Sequence, residues 1–233
     1  MLITRPEPGA AETATRLEAL GFEPVYLPLT EICPVPSELP AGRKFDAVAI
    51  PSANAIRHAR PSLLRVISGL PVFAVGRRTA EAATEAGLAI PTVGPGDGQG
   101  LAALMTGRLA SSARVLYLCG RVRTRGFEET LRAAGIEAIP VETYDTVVLD
   151  YTDKELRTAL GSEAFDALLL YSRVAAKALA KLTDRSVMSQ LLARATFVCM
   201  SERVAEPLMP ICGERVRVAA EPDEEAMLAR LAA

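Results

Sequence analysis

The 233-residue chain reads as an α/β protein built from two parallel-sheet domains, and three observations predict this. Short apolar strands alternate with helical segments from end to end, the pattern that gives parallel sheets covered on both faces. Segments recur: Phe45-Asp46-Ala47 with Ser52 returns as Phe165-Asp166-Ala167 with Ser172, Arg78-Thr79-Ala80-Glu81 as Arg203-Val204-Ala205-Glu206, and the helix end at 17–21 as 131–135. One five-strand unit is therefore present twice. Finally, residues 23–35 and 137–149 stay extended, Pro-containing and β-branched, where an α/β unit normally turns into its next helix. These overruns predict two crossings between lobes. The chain leaves the first lobe after residues 25–29, builds the second, and returns through Tyr144. Domain 1 is then discontinuous, residues 1–34 with 148–233; domain 2 is 42–141; the linkers are about 35–41 and 142–147.

In chain order, residues 2–4 form a short strand, and Arg5-Pro6-Glu7-Pro8-Gly9 leads into a helix over about 10–20, closed by Gly21. Strand 25–29 precedes a Pro-rich connector, 33–40. Strand 46–51 is followed by Ser52, whose hydroxyl suits the N-cap of a helix over 53–59. Strand 72–75, Gly76 and a helix 78–86 come next, then strand 90–93, a Gly-rich loop 94–100 and helix 101–109. The pattern restarts with strand 114–118, a basic loop 119–124, helix 125–134 and strand 137–141. Beyond Tyr144 come helix 153–160, strand 166–170, Ser172 with helix 174–182, strand 196–200, Ser201 capping a helix 202–209, strand 216–219 and helix 223–231.

Composition excludes several classes. A net charge of −2 gives no global pull toward nucleic acid or a membrane surface. Cys33, Cys119, Cys199 and Cys212 form no CxxC pair and His58 is the single histidine, so neither a metal site nor a disulfide is expected. The first residues lack a signal-peptide pattern and no apolar run approaches the ~20 residues of a membrane span, so a cytoplasmic location is expected. No GxGxxG follows the first strand, and GxxxxGK[ST], HExxH and GxSxG do not occur.

In open parallel sheets, ligands bind beyond the carboxyl ends of the strands, where helix N-termini present free N–H groups. Loops in that position carry Arg5; Ser52 and Asn54; Gly76 and Thr79; Gly120, Arg121 and Arg125; and Ser172 with Ser201 and Arg203. Each hydroxyl also reads as an ordinary cap, worth about 1 kcal/mol without any ligand. Taken together, the loops of two facing lobes suit a polyanionic small molecule.

These residues resemble the uroporphyrinogen-III synthase family. The similarity is carried by LITRP at the start, the G-x-x-P-V-x-x-P-L strand, FDAVAIPSANAI, VFAVGRRTAEAATEAGL, VLYLCGRVRTRGFEETLRAAG, VETYDTV and LLLYSRVAAKAL, in this order over nearly the whole chain. The resemblance implies two flavodoxin-like domains joined by a two-stranded β linker, with a flexible cleft. It implies a cofactor-free, metal-free lyase that cyclises hydroxymethylbilane, a linear tetrapyrrole, with loss of water and inversion of the last pyrrole. It places Tyr144 as the catalytic candidate, assisting departure of the hydroxyl or steadying the resulting cation. A tyrosine wedged between lobes for packing is the competing reading. Ser172 matches the family's F-[FT]-S serine, Ser52 is its first-repeat counterpart, and Thr79 sits in VGxxTA. Where the family often has G-x-T-T-A, this chain has Ser201-Glu202-Arg203-Val204-Ala205, leaving Ser201 or Arg203 to make the contact. Hydroxymethylbilane synthase is the expected transient partner, and a monomer is expected because no apolar stripe is left over. Other readings are a two-lobe binding protein that closes on an anionic small molecule without transforming it, or a glycosyltransferase, for which the chain is short.

Overall fold

The computed structural model describes residues 1–40, 42–123 and 125–231. Residue 41 of the expected first linker, residue 124 of the basic loop and the last two residues of domain 1 lie outside these. The chain opens with β1 (Leu2–Ile3), α1 (Gly9–Ala19), β2 (Val25–Tyr26), β3 (Thr30–Pro34), β4 (Ala47–Ile50), α2 (Ala53–Arg57) and α3 (Pro61–Ile67). Then come β5 (Val72–Ala74), α4 (Arg77–Glu85), β6 (Thr92–Val93), α5 (Gly98–Thr106), β7 (Arg114–Gly120), α6 (Gly126–Ala133) and β8 (Glu137–Val148). The last part holds α7 (Asp153–Leu160), β9 (Ala167–Leu170), α8 (Arg173–Leu182), α9 (Ser186–Leu191), β10 (Thr196–Cys199), α10 (Glu202–Ala205), α11 (Met209–Cys212), β11 (Val216–Val218) and α12 (Glu224–Ala229).

Contacts divide the chain into two compact units, Met1–Glu31 with Val147–Ala233 and Ile32–Thr146. Unit 1 holds a five-stranded sheet in the order β11-β10-β9-β1-β2, with parallel pairing throughout. Counted within the unit, that is the flavodoxin order 2-1-3-4-5 read from its far edge. Unit 2 holds β3-β8-β7-β4-β5-β6. Its parallel part, β8-β7-β4-β5-β6, is the same order with the chain entering at the third strand. The three repeated segments each fall on equivalent elements: after the first strand, at the third strand and after the fourth.

Both faces of each sheet are covered, which is why the strands read as unbroken apolar runs. In unit 1, Leu168, Leu170 and Phe197 face one core while Ala167, Leu169 and Val198 face the other. In unit 2, Ala47, Ala49, Val115 and Tyr117 alternate in the same way with Val48, Ile50, Leu116 and Leu118.

Several elements differ from expectation for definable reasons. The connector at 33–40 begins as strand, because β3 takes the free edge of the long β8. Val35 N–H donates to Thr143 O (3.0 Å) and Leu149 N–H to Leu29 O (3.1 Å), so this pair runs antiparallel. α5 starts earlier than the Gly-rich loop suggests, because Asp97 caps it through Gly100 N–H (2.8 Å). The helix expected over 202–209 stops at Ala205. Pro207 interrupts it, and the chain restarts as α11 with Pro210 in its first turn. α3 and α9 are additional short helices, α3 opened by Pro61.

Candidate functional site

Along the carboxyl edge of the unit 2 sheet, in the strand order β8, β7, β4, β5, stand Tyr144 within β8, Gly120 at the end of β7, Ser52 after β4 and Gly76 after β5. Strand order reverses between β7 and β4, so Gly120 and Ser52 flank the switch point where this architecture binds its ligands. Ser52 has extended backbone and caps α2, accepting from Asn54 N–H (3.2 Å). Gly76 precedes α4 with extended backbone and no side-chain cap. Thr79 is buried inside the first turn of α4, and Arg121 continues the chain from Gly120.

A bulge sets the position of Tyr144. β7 and β8 pair in register up to Cys119 opposite Glu142, then Gly120 stands opposite Tyr144, so β8 carries one extra residue, Thr143. That residue is fully buried, and its hydroxyl donates to the carbonyl of Ala55 in α2 (2.9 Å). The bulge thus ties the strand carrying Tyr144 to the helix capped by Ser52. Arg121 N–H donates to Tyr144 O (2.9 Å), and the phenol ring lies against Gly120. A Cβ on residue 120 would stand 2.7 Å from Tyr144 Cζ and 3.0 Å from its hydroxyl oxygen.

The phenol is half-buried and kept neutral. Burial pushes its pKa above the ordinary value, a side-chain interaction with Ser52 works the other way, and the Cys119 thiol adds to the rise. Cys119 itself is fully buried and pushed up to about 12, chiefly by burial, so it contributes no thiolate. His58 follows α2 with its ring centroid 6.3 Å from that of Tyr144 and tilted by 40°. Burial and the charge of Arg57 lower its pKa, so it too is uncharged near neutrality. A neutral phenol in this setting is a hydrogen-bond donor to a leaving oxygen rather than a base.

Charged groups surround the bulge. Arg121 pairs with Glu142 (3.3 Å) and Asp145 (3.1 Å), residues that bracket Tyr144 on β8. Arg123 pairs with Glu142 (2.8 Å) and Glu128 (3.4 Å). The Arg123 hydrogen bond outweighs burial and, with Arg121, holds the Glu142 carboxyl below its ordinary value. Arg121, Arg123, Arg125 and Arg132 line a depression of about 470 Å³ with Glu128 and Glu129. Arg125 precedes α6 and is exposed.

In unit 1, Ser172 caps α8 through Ala175 N–H (3.1 Å), while Ser201 precedes α10 without bonding it through its side chain. Arg203 is exposed on α10. Arg5 is enclosed: its guanidinium lies 4.1 Å over the Tyr171 ring and pairs with the buried Glu224. His58, Thr143, Tyr171 and Glu224 do not stand out as site residues in the sequence. A signal existed for His58, the single histidine six residues past Ser52; the other three show themselves only through contacts across the fold. Among the described residues, no three His, Cys, Asp or Glu side chains gather to hold a metal, and no helix is long and apolar enough to cross a membrane.

The fold and these loops define a two-unit, flavodoxin-like α/β protein with chemistry-bearing side chains beyond the carboxyl ends of parallel strands. The family model described as uroporphyrinogen-III synthase HemD matches residues 11–229. The chain belongs to the uroporphyrinogen-III synthase family. It is 29% identical over 251 residues to the uroporphyrinogen-III synthase of Salmonella typhimurium, covering 99% of each chain. To that of Escherichia coli it is 26% identical over 250 residues, again 99% of each. The crystal structure of uroporphyrinogen-III synthetase from Helicobacter pylori shares its fold with a TM-score of 0.69 at 20% identity, over 98% of this chain and 96% of that one. The family comprises cyclising, lyase-type enzymes of tetrapyrrole biosynthesis that need no cofactor, and their substrate is a tetrapyrrole.

Proposed function

We propose that this chain converts hydroxymethylbilane to uroporphyrinogen III, with Tyr144 as the catalytic residue. The observation that carries this reading is the half-buried, neutral Tyr144 hydroxyl held against Gly120 at the switch point of unit 2. In the reaction the terminal C–O bond breaks and the hydroxyl leaves as water. The resulting cation is attacked by the substituted α-carbon of the last pyrrole, and the bond from that carbon to its original methylene bridge then breaks. The freed methylene re-bonds to the ring's other α-carbon, which releases its proton to balance the one the departing hydroxyl takes up, so the ring is inverted as the macrocycle closes. A neutral phenol donates a hydrogen bond to the departing oxygen without placing an anion beside the cation. The free cation also cyclises without inversion, so much of the catalytic task is to hold the chain ends in the productive geometry.

Ser52, Asn54, Gly76, Thr79 and Gly120 are proposed substrate contacts around Tyr144, with Arg121 and Arg125 meeting substrate carboxylates. Ser172, Ser201 and Arg203 are proposed contacts on the corresponding edge of unit 1. A monomer in the cytoplasm, receiving substrate from hydroxymethylbilane synthase, completes the reading. The monomer is supported by a sequence that leaves no apolar stripe over once the sheets are covered.

The test generates hydroxymethylbilane in situ, oxidises the product and resolves type I from type III porphyrin. Type III from the purified chain is the expected result. Type I alone, in the proportion formed spontaneously, overturns the proposal and leaves a two-lobe protein that binds an anion without transforming it.

A further inference from the structure

Glu224, the first residue of α12, has a side chain only 4% exposed, yet it is a carboxylate. It is enclosed by donors from three other elements of unit 1. Tyr171, just past β9, donates its hydroxyl to Oε1 (2.7 Å). Thr13 and Arg16 on α1 donate to Oε1 and Oε2, and Arg5 just past β1 approaches Oε1 at 3.5 Å. The donors are also tied to one another: Thr13 and Tyr171 hydroxyls are 3.1 Å apart, and Arg5 lies over the Tyr171 ring. Arg5 leans on Gly9, where a Cβ would collide with the guanidinium.

This cluster stands at the carboxyl ends of β1 and β9, the switch point of the unit 1 sheet. Architectures of this order bind anionic ligands there. The internal repeat supplies an independent comparison. Strand registers pair Leu2 with Leu168 and Leu116 with Val48, so β1 and β7 correspond at an offset that also aligns the ends of α1 and α6. At the matching positions unit 2 has Cys119 for Arg5, Phe127 for Thr13, Thr130 for Arg16 and Pro51 for Tyr171. Asp97 and Asp223 cap α5 and α12 with the same backbone angles to within a degree, so Gly98 stands where unit 1 has Glu224. In unit 2 the donor set and the carboxylate are missing together, as expected for a ligand and its receptor.

We propose that Arg5, Arg16, Thr13 and Tyr171 form a carboxylate-binding site at the switch point of unit 1, and that Glu224 is its resident ligand, supplied by the chain itself. Two consequences follow. Arg5 is committed to Glu224 and is closed to substrate in this state. Emptied of Glu224, the site takes a free monocarboxylate.

The experiment compares thermal unfolding of wild type and E224A in sodium acetate and in sodium chloride of equal ionic strength. Acetate is expected to raise the Tm of E224A toward the wild-type value in a saturable way, and to leave wild type no higher than chloride does. An equal response of E224A to the two salts overturns the proposal. If E224A does not fold in chloride, recovery of its fold by acetate supports the site, and failure in both salts overturns it. In E224Q the side-chain amide still fills the pocket, so this variant is expected to show no acetate response; a response equal to that of E224A also overturns the proposal. Because the readout is stability, its failure is distinct from failure of the catalytic reading.

Discussion

The ring of Tyr144 occupies the space that a side chain on Gly120 would need, with Cζ 2.7 Å and Cε2 2.8 Å from the position of a Cβ. Gly120 has no positive φ to explain its lack of a side chain, so the contact is the reason for it. The substitution G120A is expected to cost about 1–3 kcal/mol by overpacking. It is also expected to lower type III formation more than total stability implies, because the ring must swing away from the switch point. Denaturant unfolding run beside the isomer assay checks both, and an unchanged type III yield would detach this geometry from the chemistry.

Removing the hydroxyl alone separates chemistry from packing. Y144F keeps the ring on Gly120 and is expected to retain the fold while losing at least ~10-fold in rate, about 1.4 kcal/mol in the barrier. A loss below twofold would leave Tyr144 a packing residue.

The pH dependence has a definite sign. Burial raises the Tyr144 pKa, so the phenol stays neutral to a higher pH than a free tyrosine does. Type III formation is therefore expected to show no alkaline loss assignable to this group below about pH 10. A wild-type limb near pH 8 that vanishes in Y144F would contradict this.

Thr143 tests the bulge. In T143V the carbonyl of Ala55 loses its 2.9 Å partner inside the protein, and a loss of about 1–2 kcal/mol is expected. Because that bond ties β8 to α2, altered type III yield at a temperature where the variant stays folded should accompany it. Urea unfolding and the isomer assay are the two measurements.

Glu224 gives the acid prediction. Burial alone would raise its carboxyl, but hydrogen bonds from Thr13 and Tyr171 and the charges of Arg5 and Arg16 hold it below the ordinary value. A depressed folded value means stability that is fully present above the unfolded pKa of about 4.3 and is lost as pH falls through the folded one. E224Q is expected to be less stable at pH 7 by about 1–3 kcal/mol. Its stability should also fall less steeply below about pH 4.3 than that of wild type, as unfolding curves at several pH values would show.

Much of this arrangement is legible in the sequence where the cause is local. The caps at Ser52 and Ser172 announce themselves as a serine after an apolar run, and the repeat fixes which strand is which in both sheets. Tyr144 stands out because the strand around it refuses to end. What is not legible depends on register or on distance along the chain. The extra residue at Thr143 leaves the apolar pattern of β8 looking continuous, so the bulge shows only against β7. The partnership of Arg5 with Glu224 joins opposite ends of the chain and rests on hydrogen bonds, which leave no periodic trace. The loop 94–100 reads as flexible by composition, yet Asp97 turns its second half into the start of α5.

The discontinuous first unit has a consequence for how the chain is born. Leu2 pairs with Val25 on one side and with Leu168 on the other, whereas the parallel strands of unit 2 all lie within residues 47–148. As synthesis proceeds from the amino terminus, the inserted unit has all its partners on hand first, while the buried strand at Leu2–Ile3 must wait with an unpaired edge for β9 to emerge. The usual amino-to-carboxyl order of domain folding is thereby inverted, because unit 2 can complete its sheet while unit 1 still lacks β9, β10 and β11.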